Sequence, residues 1–220
     1  MTGDLRTVAR LLRRRHPHTP LYVLGMSMGG AVVMAAQAEK PIAGVTGTIL
    51  AAPAVWGRTT MPFYQRWALW LGAHSVPWLT LTGRGIKRNP SDNREMLRAL
   101  GRDPLVIKET RIDALYGLAG LMDRAFDSAP GYRAPALLLY GDNDDIIPKE
   151  AMESVFERLP DSASAAQRII RYPDGYHMLL RDLQAETVWR DITAWIADPA
   201  GGLPSRLDTR MGAPPASASR

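Results

Sequence analysis

A pentapeptide of the form G-x-S-x-G, Gly25-Met26-Ser27-Met28-Gly29, stands between the apolar run Leu21–Leu24 and the helix-forming run Ala31–Ala38. A strand that turns sharply into a helix holds the central serine in a strained conformation with its hydroxyl above the sheet, and the flanking glycines let the chain cross without a clash. Ser27 is therefore the candidate nucleophile. A seryl hydroxyl near neutral pH needs a base to take its proton and an acid to orient that base. Of the four histidines, His16 and His18 precede the serine in a Pro-containing turn and His74 lies in an aromatic segment. His177 ends Tyr172-Pro173-Asp174-Gly175-Tyr176-His177, a glycine-containing loop beyond an expected strand, where parallel α/β sheets place their chemistry. It is the candidate base. Three carboxylates compete for the acid in Gly141-Asp142-Asn143-Asp144-Asp145-Ile146-Ile147-Pro148. A solvated acidic loop or a cation site is the plainer reading of that cluster, but the spacing lacks the rest of a calcium loop. The backbone N–H of Met28, opening the helix after the nucleophile, is the candidate oxyanion donor.

These groups need elements to hold them. Leu5, Val8, Ala9 and Leu12 recur at helical spacing within residues 4–15, with arginines on the other face, so this segment is an amphipathic helix that must pack on something. A buried strand over 21–24 leads into the elbow and a helix to about Glu39. Residues 45–52 read as a second buried strand, 136–140 as a third, 149–158 as a helix, 168–172 as a fourth strand and 185–196 as a closing helix. Strands alternating with helices imply an α/β fold, a parallel sheet covered on both faces. Ser, then Asp, then His, each beyond a successive strand, is the chain order of α/β-hydrolases rather than of the chymotrypsin or subtilisin arrangements.

Composition excludes several classes. With 46% apolar and 22% charged residues in 220, the chain has the make-up of a soluble globular protein. It contains no cysteine, which removes disulfides, thiolate chemistry and Cys-based metal sites and makes the cytoplasm the default compartment. No signal-peptide pattern and no apolar run of bilayer-spanning length is present. The net charge of +5 is scattered apart from Arg13-Arg14-Arg15, which complement a helix C-terminus and read as a solvated helix end. No nucleic-acid motif, metal site or cofactor motif accompanies it.

Four stretches together resemble the monoacylglycerol lipase and lysophospholipase branch of the α/β-hydrolase superfamily, the branch also described as serine aminopeptidase-like. They are Gly25-Met26-Ser27-Met28-Gly29-Gly30, Asp103-Pro104-Leu105-Val106, Leu137 to Asp144 with Ile147-Pro148, and Tyr176-His177-Met178-Leu179-Leu180, spanning about residues 1–197. The resemblance implies Asp144 as the acid, since that family's acid stands three residues after the strand-ending glycine and shortly before a Val/Ile-Pro pair. Asp142 is the alternative and Asp145 a weaker one. It also implies His177 as the base, no cofactor, and a small ester or lipid substrate. The domains are then 1–55 as the first part of the core, 56–133 as a helical cap, 134–197 as the second part of the core, and 198–220 as a disordered tail rich in Pro, Gly, Ala and Ser.

Trp56, Phe63, Trp67 and Trp70 fall in the first part of the cap, with Tyr64, Leu69 and Trp78 among them. Two readings stand side by side: a substrate-binding wall or a peripheral membrane contact, and the cap's own core. The leucines between Asn93 and Ala125 read as packing. One departure from the family is plain. Its His-Gly loop, upstream of the elbow, supplies half of the oxyanion hole, and only 26 residues precede Ser27. The chain is accordingly read as an N-terminally shortened α/β-hydrolase whose strand 21–24 presents an unpaired edge open to self-association. Losing one oxyanion donor costs on the order of 10²–10³ in turnover. The functional expectation is a serine hydrolase of monoacylglycerol- or lysophospholipid-type esters, with a catalytically impaired fragment or interaction module as the alternative. A peptidase of the proline-iminopeptidase kind lacks a clearly placed acidic cluster in the cap to capture a substrate amine.

Overall fold

A computed structural model describes residues 1–58, 61–82, 88–160 and 167–209. In chain order the elements are α1 (Thr2–Arg15), β1 (Tyr22–Met26), α2 (Met28–Glu39), β2 (Gly47–Ala51), α3 (Phe63–Ser75), β3 (Thr80–Thr82), α4 (Arg94–Arg102), β4 (Glu109–Arg111), α5 (Ile112–Ser128), β5 (Ala136–Gly141), α6 (Lys149–Arg158), β6 (Gln167–Tyr172), α7 (Ala185–Ala197) and β7 (Asp208–Thr209). The main sheet has the order β1-β2-β5-β6-β7. Its first four strands are parallel, and β7 is antiparallel to β6.

Strand periodicity separates two cores. Successive side chains on a strand point to opposite faces, so Leu50 of β2 and Leu138 and Tyr140 of β5 meet α2, α5 and α6 on one side. Ile49, Ala51, Leu137, Leu139 and Ile170 meet Val188, Ile192 and Trp195 of α7 on the other. Both faces of the central strands are covered, which is why β2 and β5 are buried at every position. Helix α2 is apolar on most sides because β1, β2, α1 and α5 surround it. Helix α1 reaches it through Ala9, buried against Ala36 and Ile42.

The insertion between β2 and β5, expected as a helical cap over 56–133, is not made of helices alone. It contains α3, α4 and α5, and it also contains a small antiparallel pair, β3 with β4. Its last helix is part of the core: Ala119, Leu121, Met122, Ala125 and Phe126 pack with Met34 and Ala35 of α2. The apolar side of α5 is a stripe at helical spacing, and α2 is the surface that removes it from water. Helix α3, in contrast, buries no residue.

The C-terminal boundary also moves. Residues 198–209, expected to belong to a disordered tail from 198, are packed: Leu203 joins the α7 face of the core, and the Ser205 N–H donates to the buried Asp191 at 2.9 Å. Arg168 reaches from β6 to Asp208 at 2.6 Å, which holds β7 on the sheet. The small-residue composition that suggested disorder here serves a tight, hydrogen-bonded return. Residues 210–220 lie outside the described residues.

Candidate active site

Ser27 follows the last residue of β1 and precedes the first of α2, with φ 51°. This left-handed conformation is strained for a residue with a side chain, and the surroundings enforce it. The Ser27 N–H donates to the Ala51 carbonyl at 3.0 Å, and its own carbonyl accepts from the N–H groups of Ala31 and Ala54. Two glycines make the crossing possible. A Cβ on Gly25 would fall 2.6 Å from the Gly29 carbonyl oxygen, and one on Gly30 would fall 2.7 Å from Pro53 Cβ. Gly29, the last residue of the pentapeptide, has open space where a Cβ would stand. The glycine that the elbow requires on its helical side is therefore Gly30, one position beyond the motif.

The parallel strands end on one side of the sheet, so the loops after β1, β5 and β6 converge. Ser27 Oγ lies 3.0 Å from His177 Nε2, and His177 Nδ1 lies 2.8 Å from Asp144 Oδ2. With the proton on Nδ1, the imidazole donates to the carboxylate and its Nε2 accepts from the serine hydroxyl. Asp144 Oδ1 accepts from the N–H groups of Ile146 at 2.8 Å and Ile147 at 3.0 Å, so both carboxylate oxygens are fixed. Asp144 and His177 are buried.

The other two aspartates of the loop are committed elsewhere. Asp142 Oδ1 accepts from Arg171 at 2.7 Å, and Asp145 Oδ2 accepts from the Asn89 N–H at 2.8 Å. His74 stacks on Trp70 with ring centroids 4.6 Å apart, and His16 and His18 are exposed. Met28 is the first residue of α2, so its N–H belongs to the first-turn donors that have no carbonyl partner within the helix. Burial, with the nearby Asp144 and Asp142 charges, holds the Tyr140 phenol well above its ordinary value, so this ring stays neutral beside the acid loop.

The expected aromatic residues separate. Phe63, Trp67 and Trp70 line an open cavity of about 410 Å³ with Arg58, Arg66 and Tyr116. Trp56 is not among its lining residues, and neither are Ser27, Met28 and His177. Phe63 is 74% exposed and Trp67 67%, which excludes the reading of these rings as the insertion's own core. Ser91 and Asp182, both buried, contact each other beside the His177 loop, and neither is among the residues the sequence singles out. An aspartate five residues after a candidate histidine was the available signal for Asp182; nothing in the local pattern singles out Ser91.

A parallel sheet between helices, with a serine elbow after one strand and a carboxylate and an imidazole beyond two later ones, defines an α/β-hydrolase. The chain belongs to the serine aminopeptidase S33 family, whose model matches residues 1–184. It is 30% identical over 200 residues to a monoacylglycerol lipase of Mycolicibacterium smegmatis, covering 88% of this chain and 68% of that protein. It is 27% identical to the mouse monoglyceride lipase, covering 84% of this chain and 61% of that one. The chain thus spans between 61% and 68% of the length of these two relatives. Among solved structures, a monoacylglycerol lipase of Paleococcus ferrophilus shares its fold with a TM-score of 0.73 at 23% identity, covering 90% of this chain and 76% of that one. A monoglyceride lipase of Saccharomyces cerevisiae does so with a TM-score of 0.72 at 19% identity, covering 90% and 68%. By family the chain groups with carboxylic ester hydrolases.

Proposed function

We propose that the chain hydrolyses carboxylic esters of the monoacylglycerol or lysophospholipid type through an acyl-enzyme, with Ser27 as nucleophile, His177 as base and acid, and Asp144 as the orienting carboxylate. The observation that carries this reading is the unbroken relay from Ser27 Oγ through the imidazole to a doubly anchored Asp144. The hydroxyl attacks the ester carbonyl as its proton passes to His177 Nε2. Asp144, held by two backbone N–H groups, keeps the proton on Nδ1 and stabilises the imidazolium. The Met28 N–H meets the developing oxyanion. His177 then protonates the departing alcohol, and water, activated by the same imidazole, releases the acid from Ser27. The substrate class is supported by the lipases among the relatives.

The exposed rings of α3 are the surface at which this reading places the lipid. Phe63, Trp67 and Trp70 offer apolar area to a membrane interface, with Arg58 and Arg66 beside them. No helix among the described residues is long and apolar enough to cross a membrane. β1 is an edge strand of the sheet among the described residues, and pairing of a second copy along it is the self-association this reading includes. Turnover of short- and medium-chain glycerol esters tests the assignment, with Ser27→Ala in parallel. Wild-type turnover should fall by about 10⁴-fold or more in the variant. Equal rates in a folded Ser27→Ala protein would sink the proposal.

A further inference from the structure

We propose that Asp182 is a positioning residue for His177, acting together with a strap over residues 89–93 that ties the insertion to both loops carrying the acid and the base. Asp182 and Ser91 are buried, with 6% and 0% exposure. The Ser91 hydroxyl donates to Asp182 Oδ1 at 2.6 Å, and the Tyr176 N–H donates to Asp182 Oδ2 at 2.8 Å. Tyr176 is the residue before His177. The residue after it, Met178, donates its N–H to the Pro90 carbonyl at 2.9 Å. The backbone on either side of the imidazole is thus held by Asp182 or by the strap itself.

The remaining contacts extend the same hold. Asn93 Nδ2 donates to the Arg181 carbonyl at 3.0 Å, and the Leu183 N–H donates to Asp92 Oδ1 at 2.9 Å. On the other loop, the Asn89 N–H donates to Asp145, the neighbour of Asp144. The strap is rigid at its far end, since Asn93 Oδ1 caps α4 by accepting from the Met96 N–H at 3.0 Å. Burial pushes the Asp182 carboxyl above its ordinary value, while the bonds from Ser91 and Tyr176 pull it back. A polar cluster so enclosed is a costly way to gain stability and an effective way to fix geometry, because each partner left unpaired loses its full solvation.

Geometry is what the imidazole needs. It must stand 3.0 Å from Ser27 and 2.8 Å from Asp144 at once, although it hangs from a loop containing Gly175. A displacement of about 1 Å costs on the order of 10²-fold in rate.

The kinetic arm of the test rests on the ester-hydrolase reading; the spectroscopic arm does not. Asp182→Asn keeps the shape but offers one acceptor to two donors, and Ser91→Ala deletes one hydroxyl and should fold even where the first variant does not. Each single variant should lower kcat for a soluble ester by about 10-fold or more with KM within about twofold, because ground-state binding is untouched. The double variant should be no worse than the worse single one, as members of one network are not additive. The downfield proton resonance of His177 Nδ1–H should broaden or vanish in both. Unchanged kcat and an unaltered resonance in folded Ser91→Ala would overturn the proposal. If the wild type lacks Ser27-dependent turnover, the ester reading fails by itself and the resonance alone decides for or against the strap.

Discussion

At Ser27 the backbone is held at φ 51° because its N–H and carbonyl are bonded to β2 and to the loop after it, so the strain is maintained by neighbours rather than by the serine itself. The same closeness makes the two glycines of the helical side unequal. Gly30→Ala would place a Cβ 2.7 Å from Pro53 Cβ and 2.9 Å from Pro53 Cα, and should cost about 1–3 kcal/mol as α2 moves off that loop. Gly29→Ala meets nothing within 4 Å and should be neutral or stabilise by up to about 1 kcal/mol through helix propensity. Urea unfolding of both variants checks the contrast, and equal losses would contradict it. The chemistry-bearing residue types were legible in the pentapeptide and in the histidine loop. The choice among three aspartates rested on the family resemblance, which implies Asp144, since all carry the same carboxylate within four positions. It is the partners that separate them: Arg171 for Asp142, the Asn89 N–H for Asp145, and the imidazole for Asp144.

Helices α3 and α5 have similar apolar content in the sequence and opposite situations in the fold. Phe63, Trp67 and Trp70 of α3 face solvent, while Leu121 and Ala125 of α5 are packed on α2. Trp67→Ser should therefore change unfolding stability by no more than about 0.5 kcal/mol. Leu121→Ala removes a side chain that is 1% exposed and should cost about 2–5 kcal/mol through lost burial and the cavity left behind. Thermal and chemical denaturation compare them directly; a large loss in the tryptophan variant would show that α3 is covered in solution. The sequence places both in a helical cap and reads the leucines between Asn93 and Ala125 as packing. It does not report which partner lies opposite, because an apolar stripe looks the same whether a neighbouring helix or a lipid surface removes it from water.

Across the whole molecule, the last described segment closes the sheet edge opposite β1. Arg168 of β6 has a side chain only 9% exposed, and Asp208 is its ion-pair partner. Asp208→Ala leaves that guanidinium buried with only the Pro199 and Gly201 carbonyls as acceptors, and should cost about 3 kcal/mol; a calorimetric melt that does not move would show that this edge adds nothing. What the sequence by itself determined were the features written in short windows. The strand-turn-helix at the elbow and each separate strand or helix depend on residues within a few positions of one another, and the alternation of elements and the order of serine, aspartate and histidine follow from reading those windows along the chain. Only the tertiary structure decided that Asp144 meets His177, that Gly30 rather than Gly29 lies against Pro53, that α5 belongs to the core, and that residues 198–209 return to the sheet. Each of these is a contact between segments distant in the chain, and no local pattern encodes which surface another segment will bury or which donor a carboxylate will meet.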